Sequence, residues 1–234
     1  MILSLLLLAH LLGDFLLQPK SWVQAKERDT YRSIYLYAHV VIHTLLVLLF
    51  LPGEFWWFSL VIGVTHYFID LLKLRYQTHR TKIKWFFWDQ ALHLLVILLL
   101  CVGMNQWNLS KETLLVNTPF ILGAVFVTIP CSVIVKSLIS NWTPVTPSIE
   151  STQSESLVNA GHYIGLLERL LVYIFIVTGH WEGVGFMIAA KSVFRFSDLA
   201  QARQRKLTEY VLIGTLLSFG LSVVSALLVI GIYN

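Results

Sequence analysis

Four pairs of polar side chains constrain this chain more than anything else in it. They are His10 with Asp14, His39 with His43, His66 with Asp70, and Asp89 with His93, each spaced i, i+4 and each set in a strongly apolar run. Residues four apart lie on one face of an α-helix, about one turn apart. The pairs therefore predict four hydrophobic helices, each presenting two metal-competent side chains on a single stripe. A charged group at the bilayer centre costs about 2.5–3.5 kcal/mol on insertion scales. Several such groups must therefore turn toward one another, a metal ion or a water-filled pocket.

Composition sets the class. Of 234 residues, 56% are hydrophobic and 13% charged, with a mean hydropathy of +0.71. Soluble domains carry roughly 25% charged residues, so the chain reads as an all-α polytopic membrane protein. A bilayer core about 30 Å thick needs roughly 20 helical residues. On that rule, spans fall near 1–18, 33–52, 55–74, 84–104, 115–140, 160–179, 181–197 and 209–232. That makes eight, the seventh weakened by Gly183, Gly185, Lys191 and Arg195. The opening run resembles a signal peptide in hydropathy. It lacks a basic leader and a small-residue cleavage site and carries His10 and Asp14, so it reads as a retained helix. Cys101 and Cys131 sit in apolar runs with neither zinc-site nor disulfide spacing. The domain reading is a four-helix core over 1–110, a fifth span over 111–139, a Ser/Thr/Pro-rich flexible cytoplasmic linker over 140–157, and a C-terminal helical membrane segment over 158–234.

Orientation follows from the basic residues, which favour cytoplasmic loops. Lys20, Lys26, Arg28 and Arg32 follow the first span; Lys73, Arg75, Arg80, Lys82 and Lys84 follow the third; Arg203, Arg205 and Lys206 follow the seventh. The opposite loops hold one basic residue, Lys111. The N-terminus is thus expected outside, with the basic loops in the cytoplasm of a bacterial inner membrane. These basic residues mark topology beside apolar runs, so no nucleic-acid partner is expected. With the direction of each span assigned, all eight paired residues fall in the cytoplasmic half of the bilayer. Glu168, Arg169, Lys191 and Arg195 fall there too. An internal repeat aligns HLLGD (10–14) with HYFID (66–70), and HVVIH (39–43) with DQALH (89–93). Parallel repeats of this kind are related by an axis along the membrane normal, with sites at their interface.

Neutral imidazole and carboxylate suit zinc, iron or manganese, and no thiolate competes. The expected metal ligands are His10, Asp14, His66 and Asp70, with His43 and His93 next, and zinc as the divalent ion. His39, Asp89 and Glu168 are the candidate catalytic acid/base groups. Lys73, Arg169, Lys191 and Arg195 are candidates for an anionic headgroup or phosphate.

The runs HLLGDFLLQ, THYFIDLLK and DQALH, with His39 and His43, resemble a family of bacterial integral membrane proteins known as domain of unknown function 3307. The resemblance covers roughly residues 1–110. GLLER and AAKSVFRF are similar to the segment C-terminal to the domain in its longer members. That family implies no activity. A looser similarity to membrane-bound metal-dependent hydrolases, in how His and Asp are placed within hydrophobic helices, implies a metal and a hydrolytic reaction. The leading expectation is therefore a metal-dependent hydrolase of a lipid or other amphiphile at the cytoplasmic leaflet. One rival is a proton, metal-ion or anion transporter that uses the same residues as a relay. The other is a non-catalytic membrane partner or sensor that docks a cytoplasmic protein.

Overall fold

The computed structural model describes residues 2–103, 117–142, 155–202 and 205–233, and every regular element among them is helical. The chain divides into two compact units, Met1–Thr118 and Pro119–Asn234. The linker read at 140–157 and the outer loop with Lys111 lie largely outside the described residues.

The first unit opens with α1 (Ile2–Leu11), which runs into one π-helical turn, Leu12–Leu16. The Leu17 amide donates to the Leu12 carbonyl at 2.8 Å. Pro19 cannot continue a helix. The chain therefore breaks there and turns by 82° into α2 (Lys20–Asp29). A straight span over 1–18 followed by a basic loop is thus replaced by a shorter helix, a π turn and a polar helix set across it. Next come α3 (Ile34–Phe50), α4 (Trp56–Tyr76) and α5 (Lys82–Gly103). The main helices pack in a ring, α1 on α3, α3 on α4, α4 on α5 and α5 back on α1. This order sets α1 across from α4 and α3 across from α5, as a two-fold repeat of the first two spans requires.

The bundle is turned inside out relative to a soluble one. Leu45, Leu49, Phe68, Leu95 and Leu99 face outward, while His10, His39, His43, His66, His93, Asp70 and Asp89 are buried. Without water outside, apolar side chains lose nothing by facing lipid, and the polar groups must find partners within. The interior beside the first residues of α1 is largely apolar, built from Ile2, Leu5, Leu6, Val47, Phe58, Ile62 and Ile97, and α1 and α4 also bury Ser4 and Ser59 there.

The second unit contains α6 (Thr118–Val127), α7 (Ile129–Ile139), α8 (Glu155–Val177), α9 (Trp181–Ala202) and α10 (Arg205–Tyr233). Thr128, with φ −80° and ψ −112°, separates α6 from α7, which bend by 40°, and Pro130 opens the new helix. This fifth apolar segment belongs with the C-terminal helices, since α7 packs on α10 and α8. The sequence reading sets it apart as a span of its own over 111–139. Gly179, at φ 82°, makes the turn between α8 and α9. Among the described residues, three helices are long and apolar enough to cross a membrane, and five are if each bent pair counts as one span. The 17-residue α3 is apolar but shorter.

Candidate metal centre

All four pairs meet inside the first unit. His10 and Asp14 come from α1 and its π turn, His39 and His43 from α3, His66 and Asp70 from α4, and Asp89 and His93 from α5. The histidines are at most 4% exposed. Each turns its Nε2 toward the carboxylates.

Asp14 lies at the middle. Its Oδ1 is 3.0 Å from His43 Nε2, 3.2 Å from His39 Nε2 and 3.5 Å from His66 Nε2. Its Oδ2 accepts a 2.6 Å hydrogen bond from Gln90 Nε2 and lies 3.8 Å from His10 Nε2. The His43, His66 and His93 rings form a column, with centroids 3.8 Å and 3.9 Å apart. Gly13 makes the approach of His43 possible, because a Cβ at that position would collide with the imidazole ring. The glycine in HLLGD is therefore a space requirement of the site.

Asp70 and Asp89 are held differently. Lys26 Nζ donates to Asp70 Oδ2 at 2.6 Å, and Lys73 Nζ donates to Asp89 Oδ2 at 2.8 Å. Lys26 is 5% exposed although it belongs to the polar helix α2. That helix is fastened by the stack of Trp22 on Tyr35 and by the Lys82–Glu27 ion pair. Helical spacing and topology do not single out Lys26 or Gln90 as site residues. Their signals in the sequence are faint. Trp22 and Lys26, four apart after a proline, share a helix face, and Gln90 is a neutral amide inside an apolar run.

The donor set fits a metal ion. Among the described residues, three groups offer ligand atoms within 4.8 Å of one another: His10, Asp14, His43 and His66; His39, His66 and Asp70; and Asp14, Asp89 and His93. Two histidine Nε2 atoms, those of His39 and His66, stand 3.0 Å apart. His93 Nε2 and Asp89 Oδ1 are buried without a hydrogen-bond partner, 3.5 Å from each other. Ring nitrogens crowded together on carboxylate oxygens, with buried polar atoms left over, are what a cation would satisfy. A cavity of about 10 Å³ is lined by His10, His43, His66 and His93. One water needs roughly 10–15 Å³ by this measure.

The remaining candidates belong to the second unit. Arg169 donates through Nε to the Val127 carbonyl at 2.6 Å and through Nη1 to Ser218 Oγ at 3.2 Å. Its Nη2 donates to the Thr128 carbonyl at 3.1 Å and to Ser132 Oγ. These carbonyls flank the break between α6 and α7, so this guanidinium, expected to bind substrate, is engaged in closing a broken helix. Glu168 is paired with Lys191, whose ammonium also lies 5.1 Å from the Phe219 ring centroid. The Arg195 side chain lies outside the described residues.

Comparison with protein-family models finds a match to residues 2–122, to a family described as a protein of unknown function, DUF3307. The matched stretch includes every residue of the His/Asp cluster. No curated protein and no solved structure matches the chain.

Proposed function

The chain belongs to the DUF3307 family, and from the geometry of its His/Asp cluster we propose that it is a metal-dependent membrane hydrolase acting on an anionic lipid or other anionic amphiphile. The observation that carries this reading is the open group His10, Asp14, His43 and His66, three imidazoles and one carboxylate beside a water-sized cavity. Nitrogen and oxygen donors with no sulfur are the ligand types of catalytic zinc sites, and because four protein ligands would fill a tetrahedral ion, activating a water needs a fifth coordination position or the release of one of the four. A divalent ion held there would supply Lewis acidity and activate water for attack on an ester, amide or phosphoester. Gln90 and the ring of histidines orient Asp14. The apolar core from Ile2 to Ile97 closes the bundle beyond the cluster.

Charge supports the substrate class. With the imidazoles neutral, three carboxylates and two ammoniums leave the cluster one negative charge, and one divalent ion makes it one positive. A buried surplus of that sign attracts a phosphate or carboxylate. An apolar groove of about 390 Å³ on the exposed face of α3 and α4, lined by Tyr37, Val40, Gly63 and Phe68 among others, suits an acyl chain. The same reading carries the topology. Eight spans in a bacterial inner membrane, with the N-terminus outside, put the cluster in the cytoplasmic half and α2 along that surface.

The closed apolar core argues against the transport reading, which needs a polar path through the bundle. The test is elemental analysis of protein purified without chelator, paired with a screen of ester, amide and phosphodiester lipids. One zinc per chain is expected, with turnover lost in His10→Ala and His66→Ala. Metal-free wild-type protein, or turnover unchanged in both variants, would refute the proposal.

A further inference from the structure

Of the three groups able to hold a metal, two include a carboxylate that already carries a lysine. Asp70 in the group with His39 and His66 holds the Lys26 ammonium, and Asp89 in the group with Asp14 and His93 holds that of Lys73. The group of His10, Asp14, His43 and His66 includes neither. Its carboxylate is met by a neutral amide, Gln90, and by imidazoles.

We propose that Lys26 and Lys73 are built-in cations that occupy two further metal positions and so restrict the cluster to one metal ion, at His10, Asp14, His43 and His66. This rests on the metal-site reading above and adds what sets the number of ions. The physical basis is charge and contact. An ammonium 2.6–2.8 Å from a buried carboxylate supplies the positive charge that a divalent ion would bring and takes one of its oxygens. A second divalent ion would have to enter a cluster already carrying two ammoniums and one divalent ion. In a low-dielectric interior that repulsion is large. The lysines come from different places, Lys73 from the same helix as Asp70 and Lys26 from α2. The two positions are guarded independently of each other, but each shares one ligand with the open position, His66 or Asp14, so a second ion would rest on the two ligands of its own, His39 and Asp70 or Asp89 and His93. His93 Nε2 and Asp89 Oδ1, both without hydrogen-bond partners, mark where an ion would enter if Lys73 were absent.

The experiment counts metal. Full-length protein in detergent is loaded with zinc, separated from free ion by gel filtration, and analysed for zinc per chain, for wild type, Lys73→Met, Lys26→Met and Lys73→Arg. Thermal unfolding is followed with and without zinc. Wild type and Lys73→Arg are expected to hold one ion, and each methionine variant two. Each methionine variant leaves a buried carboxylate without its ammonium, so zinc should raise its unfolding temperature more than it raises that of wild type. Two ions in wild type, or one ion in both methionine variants, would overturn the proposal while leaving the metal site standing. Failure of both methionine variants to fold even with zinc would also overturn it, since the vacated positions would then not accept the ion in place of the ammonium. No ion in wild type would instead remove the metal reading itself.

Discussion

Gly13→Ala separates the demands of the helix from those of the site. Ala is favoured over Gly by about 1 kcal/mol in a helix interior, so on propensity alone the change stabilises. The new methyl group, however, would overlap the His43 ring, closer than any real Cβ contact allows. Ordinary contact begins near 3.4 Å, so the ring must retreat by about 1 Å. It has little room, because it lies against His66 with centroids 3.8 Å apart and against His39 at 4.6 Å. Overpacking of this kind costs about 1–3 kcal/mol, leaving a net destabilisation of roughly 0–2 kcal/mol. The effect on the site is larger, since a shift of about 1 Å far exceeds the ±0.2 Å tolerance of metal–ligand distances. Zinc affinity should fall at least tenfold, which corresponds to about 1.4 kcal/mol. The assay is competition against a chromophoric chelator in detergent, beside thermal unfolding. Gly185→Ala is the control, since a Cβ there meets nothing within 4 Å; it should keep wild-type zinc affinity. A Gly13→Ala protein with unchanged affinity and raised stability would refute the reasoning.

Two further substitutions are informative. Asp14→Asn should reduce zinc affinity at least 100-fold and Asp70→Asn less than tenfold, because Lys26 already neutralises Asp70; equal losses in the chelator competition would contradict the assignment of the open position. In the second unit, Arg169→Leu strands the Val127 carbonyl, whereas the Thr128 carbonyl keeps the Ser132 amide and hydroxyl as donors. An unsatisfied buried group costs about 1–3 kcal/mol, so unfolding in detergent should show a loss of at least about 1 kcal/mol. Arg169→Lys should recover only part of it, having three donors for four acceptors.

The histidine–aspartate pairs are legible in the sequence because helical spacing and topology are local properties. Position i+4 puts His10 above Asp14 whatever surrounds them, and apolar flanks force both inward. What lies beyond reach depends on where the chain breaks. Lys26 reads as one of four loop cations until the turn at Pro19 is known to be a helix that folds back and delivers it to Asp70. Arg169 reads as a free guanidinium at the right depth. Only the bend at Thr128 and Pro130 exposes the carbonyls that it serves. The fifth apolar segment reads as a span of its own over 111–139, whereas its packing joins it to α8 and α10.

The repeat explains why a cluster of this kind has a single open position. It matches His10 with His66, Asp14 with Asp70, His43 with His93, and His39 with Asp89, and the order of helices in the ring is the one that a two-fold axis produces. A strictly symmetric bundle would offer two equal half-sites, and two equal carboxylates would compete for one ion. Three departures remove the equivalence. His39 faces a carboxylate, Asp89, as its counterpart, which adds a negative charge on one side. Lys73 then neutralises that charge, and Lys26 neutralises Asp70. Asp14 alone keeps its full charge, with Gln90 as a neutral donor. The polar pairs thus bring eight residues to one place, and two lysines from outside the pairs decide which carboxylate among them stays available to a cation.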